Sequence, residues 1–308
     1  MNRRELIQRI GVVSLVSKIP FKVGGLDVAV PQGTASNASL GKPSPLKPPA
    51  QGSIPVAFVI SAGAVVIDFC GPWEVFENVD VPGREQNPFR LYTVSDTPGV
   101  VRASGGLNIT PNYTFQTAPA PKVIVIPAQN GASEEMLEWI RNSSKSADLT
   151  MSVCTGAFVL ARTGLLSGKA ATTHHGAYKT LAVDFPDIRV KRGARFVEDG
   201  NLATAGGLSS GIDLALRVVE RYFGRDAATK TAYQMEYQGQ GWLNPNSNEI
   251  YAKVPVSTDE HPLCPVCEME VDRKGALSSV WRGKTYYFCM EDHKKAFDAN
   301  REKYLKAE

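Results

Sequence analysis

The chain has 308 residues, room for about two domains, and 43% of them are hydrophobic, enough for a sizeable buried core. Its 34 Lys and Arg against 31 Asp and Glu leave a net charge of +3, which makes no electrostatic case for nucleic acid or an anionic membrane. No apolar run approaches the roughly 20 residues of a membrane span, and five cysteines are too few for a disulfide scaffold.

The first segment, Met1 to Phe21, carries Arg3-Arg4 ahead of the uncharged run Ile10 to Ser17, and resembles a twin-arginine export signal. This points to a periplasmic or secreted protein. A short amphipathic helix on a cytoplasmic protein is the alternative. Pro31 to Ser53 then holds five prolines, three glycines, four serines and two lysines with no acid, so residues 1–53 read as signal plus flexible linker.

From Ile54 the pattern changes. Val56 to Ile60, Phe89 to Val94 and Lys122 to Ile126 are short apolar runs of the kind found in strands buried on both faces. Helical patterns over Gly71 to Asn78, Ser133 to Ser143, Thr155 to Thr163 and Ser209 to Phe223 lie between and after them. In the last, Ile212, Leu216 and Val219 share one face, which Leu214 and Val218 widen. Alternation of this kind predicts an α/β domain, a mostly parallel flavodoxin-like sheet with helices on both faces. No phosphate-cradling glycine motif is present, so nucleotide binding has no support.

In such sheets chemistry gathers where strands hand over to helices. Leu149 to Val153 followed by Cys154-Thr155-Gly156-Ala157 is such a junction. Amides at the helix start are expected to lower the Cys154 pKa and make it a nucleophile; a small buried thiol packing the strand end is the plain alternative. Asp68, in Val65-Val66-Ile67-Asp68-Phe69-Cys70-Gly71-Pro72, is the candidate proton carrier, with Glu74 the alternative. Asp68 would otherwise be the N-cap of a helix starting near Pro72. His174 or His175 could line the site.

The segments DFCGPWEVF, SVCTGAFVLARTGLLSGKAATTHH and RFVEDGNLATAGGLSSGIDLALRVVERYFG resemble the PfpI-like superfamily of class I glutamine-amidotransferase-like folds. Within it they are similar to isonitrile hydratases and to the ligand-binding halves of AraC-type regulators, over about residues 54–242. The resemblance implies Cys154 as nucleophile at a strained elbow, Thr155 beside it and Asp68 as acid/base. It also implies a pocket with Gly71, His174, Gly206 and Gly207, no cofactor for this domain, a small-molecule partner and a homodimer. The implied reaction is hydration of an isonitrile to an N-substituted formamide. A sensor of a small molecule, of oxidation or of metal is the competing class, and a glyoxalase- or chaperone-like activity the third. Thr155 stands where protease- and glyoxalase-like members carry histidine, which counts against those, and Cys70 replaces the usual hydroxyl residue.

After residues 243–262, read as a linker, Cys264-Pro265-Val266-Cys267 and Cys289-Met290-Glu291-Asp292-His293 have twenty-one residues between them. Two close pairs of soft ligands fit a closed tetrahedral zinc site, with a disulfide plus spare thiols as the alternative. About forty residues cannot be stable on burial alone, so residues 263–308 read as a metal-stapled α+β module. Val280-Trp281 and Thr285 to Phe288 predict a hairpin, and Glu291 to Ala299 a helix bearing His293. The segment resembles a YHS domain. Its terminal histidine favours zinc and leaves copper and iron open.

Overall fold

A computed structural model describes residues 44–254 and 256–305. Residues 1–43, with the Arg3-Arg4 segment, lie outside the described residues, so the export reading falls there. Seven strands form one sheet: β1 (Ile54–Val59), β2 (Phe89–Ser95), β3 (Tyr113–Thr114), β4 (Val123–Ile126), β5 (Leu149–Val153), β6 (Phe196–Asp199) and β7 (Leu202–Ala205). Their order is β6-β7-β5-β4-β1-β2-β3. Every pairing is parallel except β6 with β7 at one edge.

Successive side chains on a strand point to opposite faces, and β1 and β4 bury both. Val56, Phe58, Val123 and Val125 join Phe76, Leu214, Leu216, Val218 and Val219 in one core. That core is covered by α1 (Val66–Glu77) and by α5 (Ser210–Phe223), with α6 (Arg225–Gln234) after it. Ala57, Val59, Ile124 and Ile126 join Met136, Leu137, Ile140 and Leu160 in the other. Here α2 (Glu134–Ser143), α3 (Gly156–Arg162) and α4 (Tyr178–Asp184) supply the cover. Ser133 caps α2 with its hydroxyl, 3.2 Å from the Met136 amide, as its place before two glutamates predicts.

Three expectations need correction. The first helix starts at Val66, not near Pro72, because the hydroxyl of Ser104, from a distant loop, accepts the Val66 amide at 3.1 Å. Pro72 is then interior, and Asp68 lies in the first turn and not at the cap. Second, chain from Ser44 onward is not free linker. Leu46 N donates to Arg221 O at 2.8 Å, and Arg84 donates to the carbonyls of Pro49 and Gly52. Arginines satisfy backbone groups that prolines leave without local partners. Third, part of 243–262 belongs to the large domain: Arg195 N donates to Pro245 O, and buried Asn248 accepts from the Arg195 guanidinium at 3.2 Å.

The C-terminal module contains the predicted hairpin, β8 (Leu277–Trp281) and β9 (Lys284–Phe288), then α7 (Glu291–Ala299) and α8 (Arg301–Leu305). Arg282 and Gly283 both take positive φ, 49° and 78°, the two-residue turn that suits the right-handed twist of a hairpin. Its core is small: Val266, Val271, Phe288, Phe297 and Tyr304 around the buried Cys264 and Cys267.

Gly156 shows how tightly the large domain is closed behind the elbow. A Cβ there would lie 2.2 Å from the backbone oxygen of Ile126, which cannot swing aside. Gly156→Ala is expected to cost about 3 kcal/mol, the upper end of an overpacking penalty, as a lower denaturant midpoint at unchanged slope.

Candidate functional site

Cys154 sits one residue past β5 with φ at 58°, a left-handed conformation costly for a residue with a Cβ. The surroundings hold it there. Its amide donates to Gly206 O at 2.9 Å and Ala205 O at 3.2 Å, and the Thr173 hydroxyl donates to its carbonyl at 2.9 Å. The sulfur receives the amides of Thr155 and Leu208 and the Thr155 hydroxyl. Leu208, which follows Gly206-Gly207, is itself at φ 45°.

Asp68 reaches the same place from the end of β1 through α1. It is fully buried, and its Oδ2 accepts the Ala128 amide at 3.1 Å from the loop after β4. Its Oδ1 is buried with no hydrogen-bond partner. Burial pushes the carboxyl up to about 7, against the opposing pull of the Ala128 amide and the Cys154 thiol. The expectation of a lowered Cys154 pKa is reversed. Burial first, and the Asp68 charge second, push the thiol up to about 11, overriding the Thr155 and Leu208 donors. A seven-residue helix start cannot outweigh desolvation beside a carboxylate. Between about pH 7 and pH 11 the pair therefore holds one proton, on the sulfur, with a carboxylate beside it able to accept it.

The other expected site residues fall into two groups. His174 is half-buried beside the glycine turn: a Cβ on Gly207 would lie 2.6 Å from its Cδ2, so Gly207 makes room for the ring. Burial, with His175 second, lowers the His174 pKa, and its Nδ1 accepts the Gly176 amide at 3.2 Å. His175 lies with its ring 4.2 Å from that of His174 and stacks on Tyr251 at 4.7 Å. Gly206 accepts the Cys154 amide, and a Cβ there would meet Asn248 at 2.9 Å. Gly71 instead serves the crossing of α1 and α5, where a Cβ would lie 3.0 Å from Ile212. Cys70 is half-buried, its thiol pushed up by burial and then by Glu74. A cleft of about 380 Å³ opens at the same sheet edge, lined by Ser61, Asp96, Arg102, Asn130 and Ser133 among others, but neither Cys154 nor Asp68 lines it.

Sequence reasoning missed Ala128, Leu208, Thr173 and Ser104. The first two act through backbone amides, which leave no trace in residue type. Thr173 was visible only as the neighbour of the histidine pair.

In the module, the ligand atoms of Cys264, Cys267, Cys289 and His293 all lie within 4.8 Å of one another. Cys267 and Cys289 sulfurs are 3.6 Å apart, and His293 Nδ1 is 3.2 Å from Cys289 and 3.7 Å from Cys264. Sulfurs about 2.3 Å from a tetrahedral zinc stand about 3.8 Å from each other, so spacing and donor set both fit a metal ion. Hydrogen bonds from Cys267 and His293 hold Cys264 toward thiolate. His261 points elsewhere, its ring bonded to Glu270 at 2.5 Å.

Residues 55–221 match the family model described as DJ-1/PfpI family, and residues 264–308 match the YHS domain. A protein of Pseudomonas putida named isonitrile hydratase is 35% identical over 191 residues, 60% of this chain and 79% of that protein. The HTH-type transcriptional regulator GbdR of Pseudomonas aeruginosa is 29% identical over 161 residues, and the match spans only 43% of its length. Among solved structures, a ThiJ/PfpI family protein from Pseudomonas syringae superposes with TM-score 0.55 at 27% identity, over 67% of this chain and 84% of that one. Drosophila melanogaster DJ-1beta superposes at 0.53 with 19% identity, over 61% of this chain and all of its own, a likeness of fold.

Proposed function

The chain belongs to the DJ-1/PfpI family, and on that premise we propose that its large domain hydrates small isonitriles to N-substituted formamides. One observation carries the reading: fully buried Asp68, its Oδ1 without a hydrogen-bond partner, beside the buried Cys154 thiol, with burial pushing both groups toward their protonated forms. The 35% identity to a protein named isonitrile hydratase supports the same choice of substrate. Cys154 is only 8% exposed, which suits a linear R–N≡C whose terminal carbon carries no substituent.

In the first step the Cys154 sulfur bonds to the terminal carbon while its proton passes through Asp68 to that carbon. The product is a thioimidate, R–N=CH–S–Cys154. Water then adds to the same carbon, giving one proton to Asp68 as its oxygen bonds and the nitrogen receiving it. Collapse of R–NH–CH(OH)–S–Cys154 releases R–NH–CHO and returns the thiol. The amides of Thr155 and Leu208 hold the sulfur as it gains and loses negative charge.

The test is direct. The full chain is incubated with a small alkyl isonitrile, formamide is quantified, and the trapped enzyme is mapped for a mass addition on Cys154. No formamide above the uncatalysed level, with folded protein, overturns the reading. A pH profile adds a second check. Asp68 must enter the first step as carboxylate, so kcat/KM is expected to rise about tenfold per pH unit below about 7 and to level above it.

For the module we infer a structural zinc held by Cys264, Cys267, Cys289 and His293 Nδ1. Such an ion supplies a cross-link between the knuckle, the hairpin end and α7, with no open position for substrate.

A further inference from the structure

The knuckle that carries Cys264 and Cys267 is also one of the parts of the module that meet the large domain. Thr180, on α4, donates its hydroxyl to the carbonyl of Val266 at 3.1 Å, between the two ligands. Glu268, the residue after Cys267, has φ at 63° and pairs with both Arg192 and Lys179. Lys179 Nζ lies 3.9 Å from the Glu268 carboxylate and is only 9% exposed. Arg192 is fixed in turn, its guanidinium 5.4 Å from the centre of the buried Tyr178 ring. Met269 packs where a Cβ on Gly176 would come within 2.8 Å of its sulfur. Val183 joins the module's own core, and Lys303 bonds Asp184 at 2.7 Å at the other end of α4.

We propose that Lys179, Thr180 and Arg192 are positioning residues for the module's metal site, so that docking on α4 and capture of the ion are one coupled equilibrium. The inference rests on the metal reading of the four-ligand cluster. A left-handed glutamate and a fixed carbonyl set the direction of the knuckle, and hence of two of the four ligands. In a free knuckle, water would solvate Glu268 and the Val266 carbonyl, and that backbone would have other conformations to lose on binding. The two cations and the Thr180 hydroxyl select the binding conformation beforehand. Coupling is reciprocal: whatever α4 adds to metal affinity, the metal adds to docking on α4.

Zinc affinity is read on the full chain by competition with a chromogenic chelator, and amide exchange over residues 176–184 with and without zinc. K179M/R192M, and separately T180V, are expected to bind zinc about tenfold or more weakly, the range seen when groups behind metal ligands are removed. None of the three residues is a ligand. K169M removes an ion pair to Asp199 and is expected to leave affinity unchanged. Zinc is expected to slow exchange in α4 of the wild type at least tenfold, and less in K179M/R192M. Thermal unfolding of the large domain checks that each variant is folded. Wild-type affinity in both variants, or α4 exchange indifferent to zinc, overturns the coupling while the metal site stands. A wild type that binds no zinc overturns both.

Discussion

Asp68→Asn is expected to abolish formamide production and, at the same time, to make the protein more stable above neutral pH. The first effect follows from chemistry: an amide takes no proton from the Cys154 thiol and delivers none to carbon. A loss of roughly 10³-fold or more in kcat is expected, with Cys154→Ser at least as severe and the double variant no worse than the more impaired single one. The second effect follows from linkage. The Asp68 pKa rises from about 3.9 in an unfolded chain to about 7 in the fold. A raised folded value means that the native state favours the protonated form. That advantage is whole below about pH 4, shrinks as the unfolded chain ionises, and is gone above about pH 7, where the fold must carry a buried carboxylate. Three pH units correspond to at most about 4 kcal/mol, which Asn does not forfeit. Its carbonyl can still accept the Ala128 amide. Denaturant unfolding at pH 8 and pH 4 reads the difference: a gain of a few kcal/mol at pH 8 and none at pH 4. A loss of stability at pH 8 would return Asp68 to an ordinary structural part in the first turn of α1.

Removal of the proposed zinc is expected to have the second large effect. The module's core is five apolar side chains and two cysteines, whereas ligation of zinc by such a set contributes about 10–16 kcal/mol near pH 7. Chelation is expected to unfold β8, β9 and α7 while the seven-stranded sheet keeps its amide protection, since both large cores exclude the module's hairpin. Cys267→Ser should reproduce the effect, and His293→Ala should weaken zinc binding while the three thiols still hold it loosely. All the ligands must be deprotonated, so affinity falls as pH falls through the thiol and imidazole range. Hydrogen exchange, with zinc content measured alongside, provides the readout. Full protection of β8–β9 in metal-free protein would remove the staple from the account, and a Cys264–Cys267 disulfide in its place would do the same.

Local sequence determined a good deal of this protein. Apolar runs at Ile54 and Lys122, the stripe of α5, the Arg282-Gly283 turn and the C-x₂-C and C-x₃-H pairs are all written in near neighbours. Periodicity and turn chemistry act over a few residues, so one sequence is enough to read them. The elbow at Cys154 was legible for the same reason, as a strand followed at once by a helix start. Tertiary structure decided the rest. Asp68 and Cys154 are 86 positions apart and meet because parallel strands deliver their carboxyl ends to one edge. Whether the helix start or burial governs the thiol depends on how much water the fold leaves around it. Burial governs it, and the sequence expectation had the opposite sign. Ala128 and Leu208 contribute amides that any residue type could supply. Composition marked Pro31 to Ser53 and residues 243–262 as linker, because it counts what a segment can bury by itself. It cannot count the arginines that a folded neighbour offers to its backbone, nor the two cations that meet Glu268 beside the cysteine–histidine cluster.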